Sequence, residues 1–500
     1  MMSAAARNLA ALLIGALANT AFAPLELWLL WPLALAALLW LIRDCRPRAA
    51  LLGGWLFGFG HFVAGLYWTV ISTHVYGGAP AWLGVSLCLS LSAFLALYPA
   101  LFAAGLQWLG GIRSPWVLLA APALWLLSEL VRGWFFSGFP WFAGGYVLVG
   151  TAFASAAALV GVFGLSAMLL LWAVALLRII VAAGAQRYLA AAISLLLPLL
   201  ALLLPAPSSW VAASGAPIKV ALIQGNVPQE QKWLAHMRAP TLARYREMSL
   251  AATDAQLLIW PEVAVTLPYD AVRDSYLFGL GQQLARREAT ALVGITIRED
   301  GLPYNSVVAI GAQQGRYDKR HLVPFGEYFP IPDWLRPIMD VLGTPYSDLG
   351  FGAAQQQAIS VAGQRLSISI CFEDVFGEEI ALDARGAGLL VNMTNDAWFA
   401  DSTAPHQHLQ IARMRALETG RPMLRVANTG ITALISGDGE LLERTAQFQT
   451  VTLATTVQAV TGNTPYMRYT NTPLWWGAAL VLLMLTGLRM MTHNNRSRRT

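Results

Sequence analysis

About eight apolar runs of bilayer-spanning length constrain this chain more than any other feature. They cover residues 5–22, 25–42, 51–71, 81–109, 115–131, 157–180, 188–204 and 474–488, and about 20 apolar residues in a helix cross the hydrocarbon core of a membrane. The 500 residues are 56% hydrophobic and only 12% charged, with mean hydropathy +0.53, far from the roughly 25% charge of soluble domains. The expected class is a multi-pass α-helical membrane protein. The first run imitates a cleavable signal, with Arg7, an apolar stretch and Ala21-Phe22-Ala23. Pro24 would follow the cut and disfavours cleavage, and further spans come at once, so the run is read as a retained helix.

Charge placement orients the spans. Arg43, Arg46 and Arg48, then Arg113, then Arg178 and Arg187, and finally Arg489, Arg496, Arg498 and Arg499 fall on one side when spans alternate, and arginine-bearing loops face the cytoplasm. Both termini are expected inside, and residues 205–473 outside. The net charge of +5 comes from scattered residues rather than one basic face, which argues against a nucleic-acid partner.

The outer segment has its own pattern. Strand-like runs at 218–224, 256–260, 291–297, 306–310, 366–371, 388–392 and 432–436 alternate with helix-like stretches near 239–252, 277–287 and 405–418. Such alternation predicts an α/β layered domain. The expected division is spans one to seven over 1–206, a folded domain over 217–460, the last span over 472–490 and a basic tail over 491–500.

Cys371 ends the alternating run Ser367-Ile-Ser-Ile-Cys371. A lone cysteine is most often an inert core thiol. Two further residues at strand ends change that reading: Glu262 in Trp260-Pro-Glu262, and Lys319 in Gly315-Arg-Tyr-Asp-Lys319. A nucleophile, a base and a cation are then available to one site. Cys45, Cys88 and Cys371 make neither a disulfide framework nor metal-ligand spacing. His406 and His408, two apart on a predicted helix, do not face each other and are expected to cap or pack. No metal and no cofactor are expected. Arg413, Arg415 and Arg425 are expected in ion pairs, and Glu129 and Arg132 in a pair or against a lipid headgroup.

The order Glu262, Lys319, Cys371 resembles the catalytic set of the nitrilase superfamily, and spans on both sides narrow the resemblance to the bacterial apolipoprotein N-acyltransferases. The motifs that carry it are Gln224-Gly-Asn-Val-Pro-Gln229 leading to Trp233, Tyr304-Asn-Ser306, Val323-Pro-Phe-Gly-Glu-Tyr-Phe-Pro330, Ile370-Cys-Phe-Glu373, Asn392-Met-Thr-Asn-Asp-Ala-Trp-Phe399 and Gln407-His-Leu-Gln-Ile-Ala-Arg-Met-Arg-Ala-Leu-Glu418. Two positions depart from the family pattern: Phe372 stands where Tyr is frequent, and Ala400 where Gly is usual.

The resemblance implies an αββα sandwich on the periplasmic face of the bacterial inner membrane, working as a monomer. It implies acyl transfer from the sn-1 position of a phospholipid, typically phosphatidylethanolamine, to the α-amine of a diacylglyceryl-cysteine apolipoprotein. Cys371 would be the nucleophile, Glu262 the general base and acid, and Lys319 with the Phe372 N–H the oxyanion stabiliser. Glu327 and Glu373 would support them, and Trp233, Trp141, Phe325 and Tyr328 would contact substrate. The aromatic stretches 134–145 and 325–335 would border a path open to lipid. The residues alone leave two alternatives, a tethered amidase of small substrates and a lipoprotein receptor or transporter for which Cys371 would be dispensable.

Overall fold

The computed structural model describes residues 2–330 and 348–497, with side chains described to Met491. The far part of the 325–335 stretch and the end of the basic tail lie outside these residues. The chain divides into two compact units, one of Met1–Thr69, Val85–Pro205 and Arg468–Thr500, the other of Val70–Gly84 and Ala206–Met467.

In the first unit every apolar run carries a helix: Ala4–Ala18, Leu30–Ile42, Pro47–Leu66, Ala81–Leu95 continuing as Leu97–Trp108, Val117–Arg132, Ala157–Val181, Ala185–Leu202 and Thr472–Ser497. Among the described residues, five stretches suffice by length and hydropathy to cross a membrane: Pro47–Leu66, Ala81–Trp108, Ala154–Val181, Ala185–Leu202 and Thr472–Met491. Ala4–Ala18, Leu30–Ile42 and Val117–Arg132 have 15, 13 and 16 residues, which at 1.5 Å per residue reach roughly 20 to 24 Å against a core of about 30 Å. Small residues let these helices approach, because lipid gives apolar side chains little reason to prefer one another. A Cβ on Gly60 would stand 2.2 Å from the carbonyl oxygen of Leu12.

Glu129 and Arg132 form an ion pair at 3.9 Å, both side chains 4% exposed. Arg132 Nη1 also donates to the carbonyls of Phe139 at 2.7 Å and Trp141 at 2.5 Å, and Gly144 N donates to Glu129 Oε1 at 2.9 Å. The pair therefore draws the following loop onto its own helix, as a buried charge must satisfy its hydrogen bonds locally. Trp141 is buried at 2% exposure with its ring 5.4 Å from Trp68, and only the start of the aromatic stretch, Trp134 and Phe136, is strongly exposed.

The second unit holds the strands. In chain order they are β1 (Val211–Ala213), β2 (Ile218–Gln224), β3 (Leu257–Ile259), β4 (Thr290–Glu299), β5 (Leu302–Gly311), β6 (Gly315–Asp318) and β7 (Ser360–Val361). They continue as β8 (Gln364–Ile370), β9 (Leu389–Thr394), β10 (Met423–Ala427), β11 (Ala433–Ile435), β12 (Leu441–Arg444), β13 (Val451–Val457) and β14 (Val460–Gly462). Two six-stranded sheets result, β13-β2-β3-β4-β5-β6 and β12-β11-β10-β9-β8-β7, each with a parallel centre, β2-β3-β4 and β8-β9-β10.

Successive strand side chains point to opposite faces. Ile218, Val220 and Leu222 therefore meet Leu366, Ile368, Ile370, Val391 and Leu424 in a core between the sheets. Ala221 and Ile223 turn outward with Leu258 and Val293 onto Tyr245, Leu280 and Leu284, which lie on the helices Arg238–Ala251 and Phe278–Ala285. On the far face Leu390, Met423 and Ile435 pack on Ile380, Leu409 and Ala412, from Gly377–Asp383 and Ala404–Thr419. The unit is an αββα sandwich.

Ala400, just beyond the turn Asp396–Phe399, holds φ 48° and ψ −150°, a backbone region that strains any residue with a Cβ. Ala400→Gly is expected to stabilise the protein by about 1 kcal/mol. A raised thermal midpoint in detergent would show this, and an unchanged or lowered one would contradict it.

Candidate active site

Three strand ends deliver the three polar residues. β3 stops at Ile259, and the next side chain, Trp260, is fully buried, stacked on Tyr245 at 4.8 Å and donating from Nε1 to Ser249 Oγ at 2.9 Å. The turn carrying Glu262 then crosses β4 at Gly294, where a Cβ would lie 2.2 Å from the Pro261 carbonyl oxygen. Lys319 follows β6, its N–H donating to Asn305 O and its carbonyl accepting from Gly352 N, both at 2.8 Å. Cys371 follows β8 with φ 51°. Its carbonyl oxygen sits 3.2 Å from Asn392 Nδ2 and 3.3 Å from His408 Nε2.

The side chains converge. Glu262 Oε1 accepts from Asn305 Nδ2 at 2.8 Å and Lys319 Nζ at 3.4 Å, and Oε2 accepts from the Asn395 N–H at 2.9 Å. Lys319 Nζ also donates to Glu327 Oε1 at 2.8 Å, and Glu327 Oε2 accepts from Val323 N at 2.9 Å. Burial by itself lowers the proton affinity of Lys319, but Glu327 and Glu262 outweigh it and hold the ammonium above its ordinary range. Desolvation, then the Glu262 charge, push the Cys371 thiol well above its ordinary range, with Lys319 opposing.

Glu373 acts on backbone. Its carboxylate accepts from Ile370 N and Arg320 N, each at 2.7 Å, from His321 N at 3.2 Å, and from the Tyr317 hydroxyl. One side chain thus ties the strand end before Cys371 to the residues after Lys319. Burial raises Glu373 above the usual carboxylate range, against those N–H donors.

Lys232, not singled out from sequence, lies in the same cluster. It ends the short helix Gln229–Lys232, is 4% exposed, and donates from Nζ to the Glu262 carbonyl oxygen at 3.3 Å. Burial brings it down to about 8, with Glu262 and Cys371 opposing. Gln229, from the same helix, accepts from Asn395 Nδ2 at 3.0 Å.

A carbon-nitrogen hydrolase family profile matches residues 219–466, and one for the apolipoprotein N-acyltransferase N-terminal domain matches residues 14–175. The apolipoprotein N-acyltransferase of Methylococcus capsulatus is 40% identical over 469 residues, covering 93% of each chain. That of Azotobacter vinelandii is 41% identical over 493 residues, 96% of this chain and 94% of its own, and that of Nitrosomonas europaea 39% identical over 492 residues, 96% and 97%. The chain belongs to the apolipoprotein N-acyltransferase family. Among solved structures, a CN-hydrolase superfamily protein from Xanthomonas campestris aligns with TM-score 0.36 and 18% identity over 49% of this chain and 91% of its own.

The remaining residues expected at an N-acyltransferase site divide by exposure. Trp233 is 53% and Phe325 62% exposed, while the Tyr328 ring packs 5.1 Å from Phe351. Phe372 is buried, its ring 5.3 Å from Phe376. His408 neither caps nor merely packs: Nδ1 meets Asp396 Oδ1 and Nε2 meets Asp374 Oδ1, each at 2.9 Å. Arg425 joins both acids, 2.9 Å to Asp396 Oδ2 and 3.4 Å to Asp374 Oδ2. This buried four-residue network underlies the Cys371 carbonyl. Burial and Arg425 lower His408, but Asp374 and Asp396 prevail and raise it to about 9.

A histidine whose folded value is raised from 6.5 to about 9 binds its proton more tightly folded than unfolded. Its contribution is complete below about 6.5 and lost as pH rises through about 9, with a span of about 3 kcal/mol. The thermal midpoint of the parent is expected to fall across this window relative to that of His408→Gln. Parallel curves for the two proteins would contradict the assignment.

Proposed function

We propose that this chain transfers a fatty acyl group from a phospholipid to the α-amine of an N-terminal diacylglyceryl-cysteine on apolipoproteins. The observation that carries the reading is the convergence of Glu262 and Lys319 at 3.4 Å, with Glu262 held by the Asn395 N–H just beyond β9, the strand paired with the one that ends before Cys371, in a member of this family. The names of the relatives support the lipoprotein acceptor. The donor proposed is the sn-1 chain of phosphatidylethanolamine, whose ester carbonyl a thiol can attack. No cofactor takes part in the proposed reaction.

In the first half-reaction Glu262 takes the Cys371 proton as Sγ attacks the ester carbonyl. Lys319 Nζ and the Phe372 N–H hold the oxyanion, a contribution worth roughly 3 to 4 kcal/mol per donor. The ester C–O bond breaks, Glu262 returns the proton to the departing oxygen, and lysophospholipid leaves a thioester on Cys371. In the second half the free amine attacks the thioester, Glu262 accepts its proton, the C–S bond breaks and the thiol is restored. The raised Cys371 thiol suits a base acting during attack rather than a standing thiolate. Glu327 orients the Lys319 ammonium and Glu373 the backbone on either side, while the exposed Trp233 and Phe325 are proposed to meet substrate, with Tyr328 beside them. The sandwich is proposed to lie on the periplasmic side of the inner membrane, with the chain working as a monomer.

Phospholipid alone is expected to yield free lysophospholipid and a hydroxylamine-sensitive acyl adduct on Cys371, discharged by a diacylated lipopeptide with a free amine but not by its acetylated form. Glu262→Gln and Lys319→Met should each slow adduct formation by about a hundredfold or more, with a double variant little worse than either. Turnover with no adduct in the absence of acceptor would point to direct transfer and remove Cys371 as nucleophile.

Topology has a separate test. With native cysteines replaced, Ser208→Cys is expected to label with a membrane-impermeant maleimide from outside and Thr500→Cys only after permeabilisation. Labelling of both from the same side would overturn the orientation.

A further inference from the structure

Lys232 is a buried ionisable side chain that the chemistry above leaves unused. An ammonium has three N–H bonds to place, and among the described residues its hydrogen-bond acceptor is the Glu262 carbonyl oxygen, at 3.3 Å. A lysine only 4% exposed with so little direct pairing is costly unless its charge serves the surroundings.

Counting charges shows what it serves. Asp374, Asp396, a protonated His408 and Arg425 form a network in which two negative and two positive groups cancel. A second group is Lys319 with Glu262 and Glu327, together one negative charge. Moving the Cys371 proton to Glu262 keeps that total but relocates the charge to sulfur, in a site where desolvation already opposes the thiolate. Lys232 adds the missing positive charge and is coupled to both partners of this transfer, Glu262 and Cys371.

We propose that Lys232 is the second cation of the site, a positioning residue that holds the Glu262 backbone and supplies the positive charge under which Cys371 gives up its proton. The inference rests on Cys371 being the nucleophile of the reaction proposed above.

The test is alkylation of Cys371 by iodoacetamide in the full-length protein in detergent near pH 7, followed by peptide mass spectrometry so that Cys45 and Cys88 do not contribute. Lys232→Gln keeps an N–H donor for the Glu262 carbonyl without charge, Lys232→Met removes both, and Lys232→Arg keeps both. Alkylation is expected to slow about tenfold or more in the Gln and Met variants, one pK unit of the thiol being a tenfold change in thiolate. Lys232→Arg should recover most of the rate. Acylation by phosphatidylethanolamine in mixed micelles should slow in parallel, with half-saturation within about twofold of the parent.

Parental alkylation in Lys232→Gln would overturn the role of the charge. Equal slowing in all three variants would reduce Lys232 to packing. If Lys232→Met fails to fold by its thermal midpoint, Lys232→Gln and Lys232→Arg decide. A parent that is alkylated at Cys371 but forms no acyl adduct would refute the acyl-transfer reading and leave the Lys232 result standing.

Discussion

The ammonium of Lys319, 1% exposed, is the constraint around which the sandwich closes. Removing such an ion from water costs several kcal/mol, recovered only when carboxylates and further hydrogen bonds surround it. Glu262 and Glu327 supply the carboxylates, and Asn305, donating to both, holds them in register. These groups come from the turn after β3, from β5, from the residue after β6 and from the loop at 323–328. Four separate segments must therefore arrive together for the charge to be tolerated. Losing either carboxylate would leave the ammonium under-compensated, a change of the kind that costs about 3 to 5 kcal/mol. Stability and reactivity here depend on the same contacts.

The proposed nucleophile is held by a second device. Cys371 has a positive φ without being glycine, a strain on the order of 1 to 3 kcal/mol that persists only where the surroundings over-determine it. Glu373 grips the N–H of Ile370 on one side, while Asn392 and His408 reach the Cys371 carbonyl on the other. His408 can serve because Asp374 and Asp396 keep it protonated, and those acids are in turn balanced by Arg425. A neutral buried network thus fixes a strained backbone without adding net charge beside the thiol.

What could be read from sequence follows from periodicity. Glu262 and Cys371 close strands whose two-residue alternation or apolar run is visible in one dimension, so their placement at strand ends was legible. β10 was not: Met423-Leu-Arg-Val-Ala427 is buried at every position, so it shows no alternation, and Arg425 at its centre looks like a break. Lys232, and the charged role of His408, were missed for a related reason. A charged residue in a polar run reads as a solvated face, and only the folded surroundings, with exposures of 4% and 1%, separate it from one. Helix positions in the first unit were clear from hydropathy, but some lengths were not, because apolar residues outside the helix, such as those at 27–29 before Leu30–Ile42, continue the run beyond it.

The elevated thiol of Cys371 carries a consequence for where such a site can operate. Oxidation proceeds through the thiolate, and an oxidising compartment would progressively disable a cysteine that rested in that form. Desolvation and Glu262 hold the Cys371 thiol well above its ordinary range, and in the proposed mechanism Glu262 takes its proton only as an electrophilic carbon accepts the electron pair. In the proposed mechanism the two cations, Lys319 and Lys232, then lower the barrier to attack. On the proposed reading, a nucleophilic cysteine on the periplasmic face is protected by the same electrostatics that would make it slow on its own and fast with substrate bound.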